Sequence, residues 1–170
     1  MNIHTIILAA GKGTRMNTNL PKVMQPLGGS TIISHLIDTA EKVSDEITLV
    51  TGYKKDILKK YTTNLYSSIN VVDQDNQLGT GHAVKQAAHL IRADQKVLIL
   101  YGDVPLISEV TIQALLTKSD ECCLLSMEPE DPTHYGKIIK NNQGDVIKIT
   151  EQKDASDEER KIKEVFTGIM

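Results

Sequence analysis

Three short strings hold the residues of this chain whose types and spacing could do chemistry. The first is Leu8-Ala9-Ala10-Gly11-Lys12-Gly13-Thr14-Arg15-Met16, with Leu20-Pro21-Lys22 close behind. Gly11 and Gly13 let backbone N–H groups approach an anion, and the Arg15 guanidinium offers a planar fork that matches phosphate oxygens. Lys12 adds positive charge, and Lys22 lies within reach of the same anion. The residue order excludes a Walker A loop, which needs G-x-x-x-x-G-K-[ST]. It also argues against the dinucleotide fingerprint, because Met16 falls where that motif needs a small residue. Taken as a bare G-x-G, the string reads equally well as a structural turn.

The second string, Gln74-Asp75-Asn76-Gln77-Leu78-Gly79-Thr80-Gly81-His82-Ala83, is a polar loop running into a helix. Thr80 is expected to cap that helix, leaving free amides pointing outward. A glutamine amide presents a donor and an acceptor together, which suits the edge of a pyrimidine; ordinary helix capping explains the same residues. His82 reads as packing on its own helix. The third string, Tyr101-Gly102-Asp103-Val104-Pro105-Leu106, sets a carboxylate after a glycine at a strand end. That carboxylate is well placed to hold Mg²⁺, and also to make a local Asx cap. No Ser/His/Asp set stands out. The five histidines lack metal-ligand spacing, among themselves or with Cys122 and Cys123, and the two adjacent cysteines are expected on a buried strand.

The elements that must position these strings alternate. Strands are predicted over residues 3–8, 46–51, 69–72, 96–101 and 121–127. Helices are predicted over residues 31–43, 54–61, 81–92 and 108–118, the last capped by Ser108. This βαβαβαβαβ order predicts an α/β fold, a Rossmann-like open and mostly parallel sheet covered by helices on both faces. Ligands of such sheets sit beyond the carboxyl ends of the strands, which is where all three strings fall. After Pro129 the pattern changes to a hairpin of residues 138–140 and 146–150, a short acidic helix over residues 156–162, and a strand-like run to Met170.

Composition bounds the possibilities. The chain has 170 residues, 40% apolar and 24% charged, enough for one ordinary core. A net charge of −3 supplies no basic field for nucleic acid. No apolar run is long enough for a membrane span or signal-peptide core, so no membrane partner is expected and a cytoplasmic location is the default.

Together the strings resemble sugar nucleotidyltransferases. They are similar to the N-terminal pyrophosphorylase domain of the bifunctional N-acetylglucosamine-1-phosphate uridylyltransferases. L-A-A-G-x-G-T-R-M with L-P-K, then Q-x-x-Q-L-G-T-G-H-A, then Y-G-D-x-P-L-I carry the likeness, which spans almost the whole chain. It implies the nucleotide-diphospho-sugar transferase fold and a uridylyl transfer from UTP to an amino-sugar 1-phosphate, with Mg²⁺ and release of pyrophosphate. By that resemblance Arg15 and Lys22 meet the phosphates, and Leu8, Ala9, Ala10, Gly11 and Gly13 line the nucleotide. Gln74 and Gly79 read uracil, and Thr80 lies by the sugar. Asp103 holds the metal. Tyr101, Gly102, Gly136 and Glu151 serve the sugar. The attacking phosphate already carries charge near neutral pH, so no general base is implied and catalysis becomes positioning and charge neutralisation.

The resemblance assigns residues 1–128 to a nucleotide-binding core and 129–170 to the start of a sugar-binding region. It departs in two places. Phe166 stands where an asparagine typically precedes Thr-Gly. The family's downstream metal ligand and later helices lie beyond this length, so the catalytic domain is expected to be incomplete at its C-terminus, and an oligomer is expected only of a full-length form. Other readings stay open: a guanylyl- or cytidylyltransferase, a non-catalytic module that binds UTP or a UDP-sugar, or a fragment that folds poorly.

Overall fold

The computed structural model describes residues 2–13, 16, 18–118 and 122–170. It divides into two compact units, Met1–Thr117 and Lys118–Met170. That division falls ahead of the boundary at residue 128 expected from the sequence.

In the first unit, strand β1 (Ile3–Ala9) leads to a two-residue hairpin, β2 (Pro26–Leu27) and β3 (Ser30–Thr31), and then helix α1 (Ile32–Ala40). Strand β4 (Glu46–Thr51), helix α2 (Lys55–Leu65), strand β5 (Ile69–Asp73), helix α3 (Thr80–Ala87), strand β6 (Lys96–Tyr101) and helix α4 (Glu109–Leu116) follow. The sheet is parallel, in the order β5-β4-β1-β6. Ile7 lies opposite Leu49 on one side and Leu100 on the other. The chain steps outward from β1 to β5 and then returns to β6 beyond β1. Right-handed crossovers therefore put α1 and α2 on one face and α3 on the other. The expected mostly parallel α/β architecture is thus present.

Local chemistry explains the elements. Thr31 caps α1 by accepting the Ser34 N–H at 3.2 Å. Ile33, Leu36, Ile37 and Ala40 recur at the helical period and are all fully buried. Tyr61 on α2 ties the two helices together, its hydroxyl meeting Ser34 Oγ at 2.9 Å and Thr31 Oγ1 at 3.2 Å. On the other face Ile6, Val50, Ala83 and Ala87 form a buried cluster, with Leu8, Val72, Val84, Ile91 and Val97 packed against it. Ser108 caps α4 as expected, accepting the Thr111 N–H at 3.1 Å.

The second unit is a four-stranded sheet in the order β7-β10-β8-β9, made of β7 (Ser126–Met127), β8 (Lys137–Lys140), β9 (Val146–Thr150) and β10 (Val165–Phe166). Its pairings are antiparallel. Helix α5 (Asp157–Arg160) begins with a capping box between Ser156 and Glu159. Two expectations are corrected here. The strand predicted over residues 121–127 does not join the parallel sheet; among the described residues only Ser126 and Met127 are strand, and they pair with β10. The cysteines are not buried: Cys122 is exposed and Cys123 half-buried. Leu125 donates to Ile169 O and accepts from Thr167 N, which joins this stretch to the second unit and not to the parallel sheet. Among the described residues no helix is long and apolar enough to cross a membrane.

Candidate nucleotide site

The first unit contains a pocket of about 340 Å³ at the carboxyl ends of β1, β5 and β6. Leu8, Ala9, Ala10, Gly11, Gly13 and Lys22 line it from the first loop, Gln74, Gly79 and Thr80 from the second, and Tyr101 and Asp103 from the third. Strand order reverses between β1 and β6, the place where open α/β sheets leave a crevice for ligands.

Each wall has a physical reason to stand where it does. The Ala10 carbonyl accepts the Tyr53 N–H at 3.1 Å and the Gln77 side-chain amide at 2.9 Å. The first loop is thereby tied to the ends of both β4 and β5. Lys22 leads a 3-10 turn, Lys22–Met24, whose Val23 and Met24 are buried; a Cβ on Gly13 would stand 2.7 Å from Lys22 Cβ, so loop and turn are in contact. Gly102 donates its N–H to Leu8 O at 2.9 Å, which holds the third loop against the first.

The second loop departs from expectation at its helix end. Thr80 is the first residue of α3, and Gly79 occupies the cap position with φ 101° and no side-chain cap. Only glycine adopts that conformation without strain, and the first amides of α3 have no side-chain acceptor. Gln74 is 3% exposed. Its backbone N–H bonds Thr51 O at 2.7 Å, and its side-chain nitrogen donates to Gly79 O at 3.0 Å. Just before it, Asp73 anchors the end of β5. Burial alone would raise its carboxyl, but hydrogen bonds from Lys59, Thr51 and Lys55 outweigh that and pull it down to about 2.

At the third loop Lys22 Nζ lies 2.5 Å from Asp103 Oδ2, with each side chain a little over a third exposed. The pair brings a cation and a carboxylate from positions far apart in sequence to one wall of the pocket. Among the described residues no group of three or more His, Cys, Asp or Glu side chains could hold a metal. A single carboxylate nevertheless suits Mg²⁺, which keeps waters and takes most other ligands from substrate phosphates.

The structure thus brings the nucleotide residues expected from the sequence round one pocket, together with Tyr101. Arg15 lies outside the described residues. Gly102 packs beneath the pocket wall and does not line the cavity. Gly136 and Glu151 belong to the second unit, where they are neighbours: a Cβ on Gly136 would stand 4.0 Å from Glu151 Oε1. Phe166 is a buried residue of that unit, its N–H bonded to Gly136 O at 2.9 Å. Sequence reasoning passed over Val23, Gln77 and Ala83, which also line the pocket. Gln77 had a signal in the second string, three residues beyond Gln74.

Fold and pocket define an α/β domain of the nucleotidyltransferase type. Residues 5–155 match the model of the MobA-like NTP transferase domain, and the chain belongs to that family. Solved structures share the fold. A Bacillus anthracis protein provisionally named a glucose-1-phosphate thymidylyltransferase, solved with sucrose, aligns with TM-score 0.76 and 20% identity over 98% of this chain and 70% of its own. The inositol-1-phosphate CTP transferase of T. maritima aligns with TM-score 0.77 and 21% identity over 99% of this chain and 69% of its own.

Proposed function

We propose that this chain is the nucleotide-binding part of a uridylyltransferase that joins UTP to an amino-sugar 1-phosphate, with N-acetylglucosamine 1-phosphate as the acceptor. The observation that carries the reading is the convergence of three strand-end loops on one pocket, with the Lys22–Asp103 pair and the Gln74 amide both in its wall. In the reaction an oxygen of the sugar phosphate forms a bond to the α-phosphorus of UTP. The bond to the bridging oxygen breaks, and pyrophosphate leaves. No proton has to be removed from the attacking phosphate, so the step needs no general base.

The residues would then act by binding and neutralising charge. Gly11 and Gly13 present backbone amides to the phosphates, Arg15 and Lys22 balance the charge of the departing pyrophosphate, and the amides at the start of α3 face the nucleotide. Asp103 would hold Mg²⁺, which supplies a further positive charge to the phosphates when bound. The ammonium of Lys22, beside the Asp103 carboxylate, would add a second positive charge at the same wall.

Titration calorimetry with UTP, CTP, GTP and dTTP in MgCl₂, followed by pyrophosphate release with N-acetylglucosamine 1-phosphate, tests the proposal. UTP is expected to bind most tightly and to release pyrophosphate. Preferred binding of CTP or GTP would overturn the uridine assignment, and a folded chain that ignores all four nucleotides would overturn the site. Phe166, an apolar residue where the resemblance calls for an asparagine, favours one second reading, a module that binds the nucleotide without turning it over. Tight UTP binding with no pyrophosphate release would select it.

A further inference from the structure

We propose that His82, which does not line the pocket, is the positioning residue that engages the second hydrogen of the Gln74 amide, leaving only its oxygen to meet the nucleobase, and so sets uridine against cytidine. The inference rests on Gln74 reading the base.

Two acceptors face the Gln74 side-chain nitrogen. Gly79 O lies at 3.0 Å and His82 Nδ1 at 3.0 Å. The amide has two hydrogens, and this arrangement engages both. Turning the amide over would set its oxygen against the Gly79 carbonyl oxygen in a site with almost no water, since Gln74 is 3% exposed. The Gly79 carbonyl therefore fixes the amide, and His82 Nδ1 has to accept. A neutral ring that accepts at Nδ1 carries its hydrogen on Nε2.

That N–H needs an acceptor of its own. The Gln86 side-chain amide stands one turn further along α3, 3.1 Å from His82 Nε2 and 3.1 Å from the His82 carbonyl. His82 cannot accept at both ring nitrogens while neutral, so one glutamine must present its oxygen. Gln86 is half-buried and free to turn, whereas Gln74 is enclosed and held by a carbonyl. Turned in place, the Gln86 oxygen would stand against the His82 carbonyl oxygen, so the half-buried side chain has to swing off that carbonyl, which keeps the i+4 helical amide as its donor. The result is a relay in one direction: Gln86 oxygen accepts from His82 Nε2–H, and His82 Nδ1 accepts from the Gln74 amide.

The consequence reaches the pocket. With both amide hydrogens engaged, Gln74 has only its oxygen left for a ligand. An acceptor at that point matches uracil or thymine, whose N3 carries a hydrogen. Cytosine has a lone pair at N3 and would meet Gln74 Oε1 acceptor to acceptor. The discrimination is made by Gln74 and held by His82.

Calorimetric titration of UTP and CTP, each with MgCl₂, into the wild-type chain, His82→Leu, His82→Asn and Gln86→Leu tests this. Wild type is expected to prefer UTP by about tenfold or more, and His82→Leu to lose most of that ratio. His82→Asn keeps an acceptor near the Nδ1 position and is expected to restore it, which a merely structural histidine would not require. A wild-type preference for UTP that persists unchanged in His82→Leu overturns the inference and leaves the uridine reading standing. A wild type with no preference removes both. Should His82→Leu fail to fold, Gln86→Leu decides, because it leaves His82 in place but removes the protein acceptor of its Nε2–H. A reduced UTP-to-CTP ratio supports the relay and an unchanged one overturns it.

Discussion

Replacing Gly102 by alanine tests whether close packing between the first and third loops shapes the pocket. The added Cβ would stand 2.8 Å from Leu8 O, 3.0 Å from Val23 Cγ1 and 3.4 Å from Ala9 Cα. Carbon–oxygen contacts in proteins normally begin near about 3.3 Å, so roughly half an ångström must be found. Leu8 O cannot give way freely, because the Gly102 N–H already bonds it at 2.9 Å. Val23 is 6% exposed and has little room behind it. Overpacking of this kind typically costs about 1–3 kcal/mol. For a chain of this size each kcal/mol moves the melting temperature by about 2–4 °C, so a fall of about 2–12 °C is expected. The strain falls on Tyr101 and Asp103, which flank Gly102 and line the pocket, so affinity for UTP with Mg²⁺ is expected to drop by roughly tenfold as well. Scanning calorimetry with and without the nucleotide reads both effects. Gly81→Ala is the control: no atom lies within 4 Å of its added Cβ, and a helical alanine there should add up to about 0.5–1 kcal/mol. A Gly102→Ala chain that melts within about 1 °C of wild type would refute the reasoning.

Three further outcomes are expected. Asp103→Asn should leave stability within about 1 kcal/mol, since the pair it breaks is partly exposed, but should abolish the Mg²⁺ dependence of UTP binding; titrations across Mg²⁺ concentrations that match wild type would count against Asp103. Asp73, held at about 2 by its partners, contributes stability that is complete above its unfolded value near 3.8 and is lost as pH falls through about 2. Asp73→Asn should therefore lower stability at neutral pH by about 1–2 kcal/mol and flatten the decline between those values in acid denaturation. Ser156→Ala removes one half of the capping box and should cost about 1 kcal/mol, seen as faster hydrogen exchange of the Glu159 amide, with unchanged exchange arguing against the cap.

Much of this molecule was determined by sequence within short windows. Strand β6 has the bounds its apolar run predicts, and Ser108 caps α4, because strand period and capping depend on residues only a few places apart. The three strings were recognisable only as whole motifs, each contained within a short window at a strand end, because their single glycines, amides and charges also suit ordinary turns and caps. Tertiary structure decided the rest. Lys22 meets Asp103 across 81 positions, and Gln77 reaches Ala10 across 67. Residues 126–127 read as well for a parallel strand as for the antiparallel partner of β10 that they become. An apolar run states that it must be covered; which groups cover it depends on the hydrogen-bond edges and faces left open once the chain has collapsed, and nothing local to the run records that. The same holds for the orientation of Gln74, which two carbonyl and imidazole acceptors fix only after α3 has docked on the sheet.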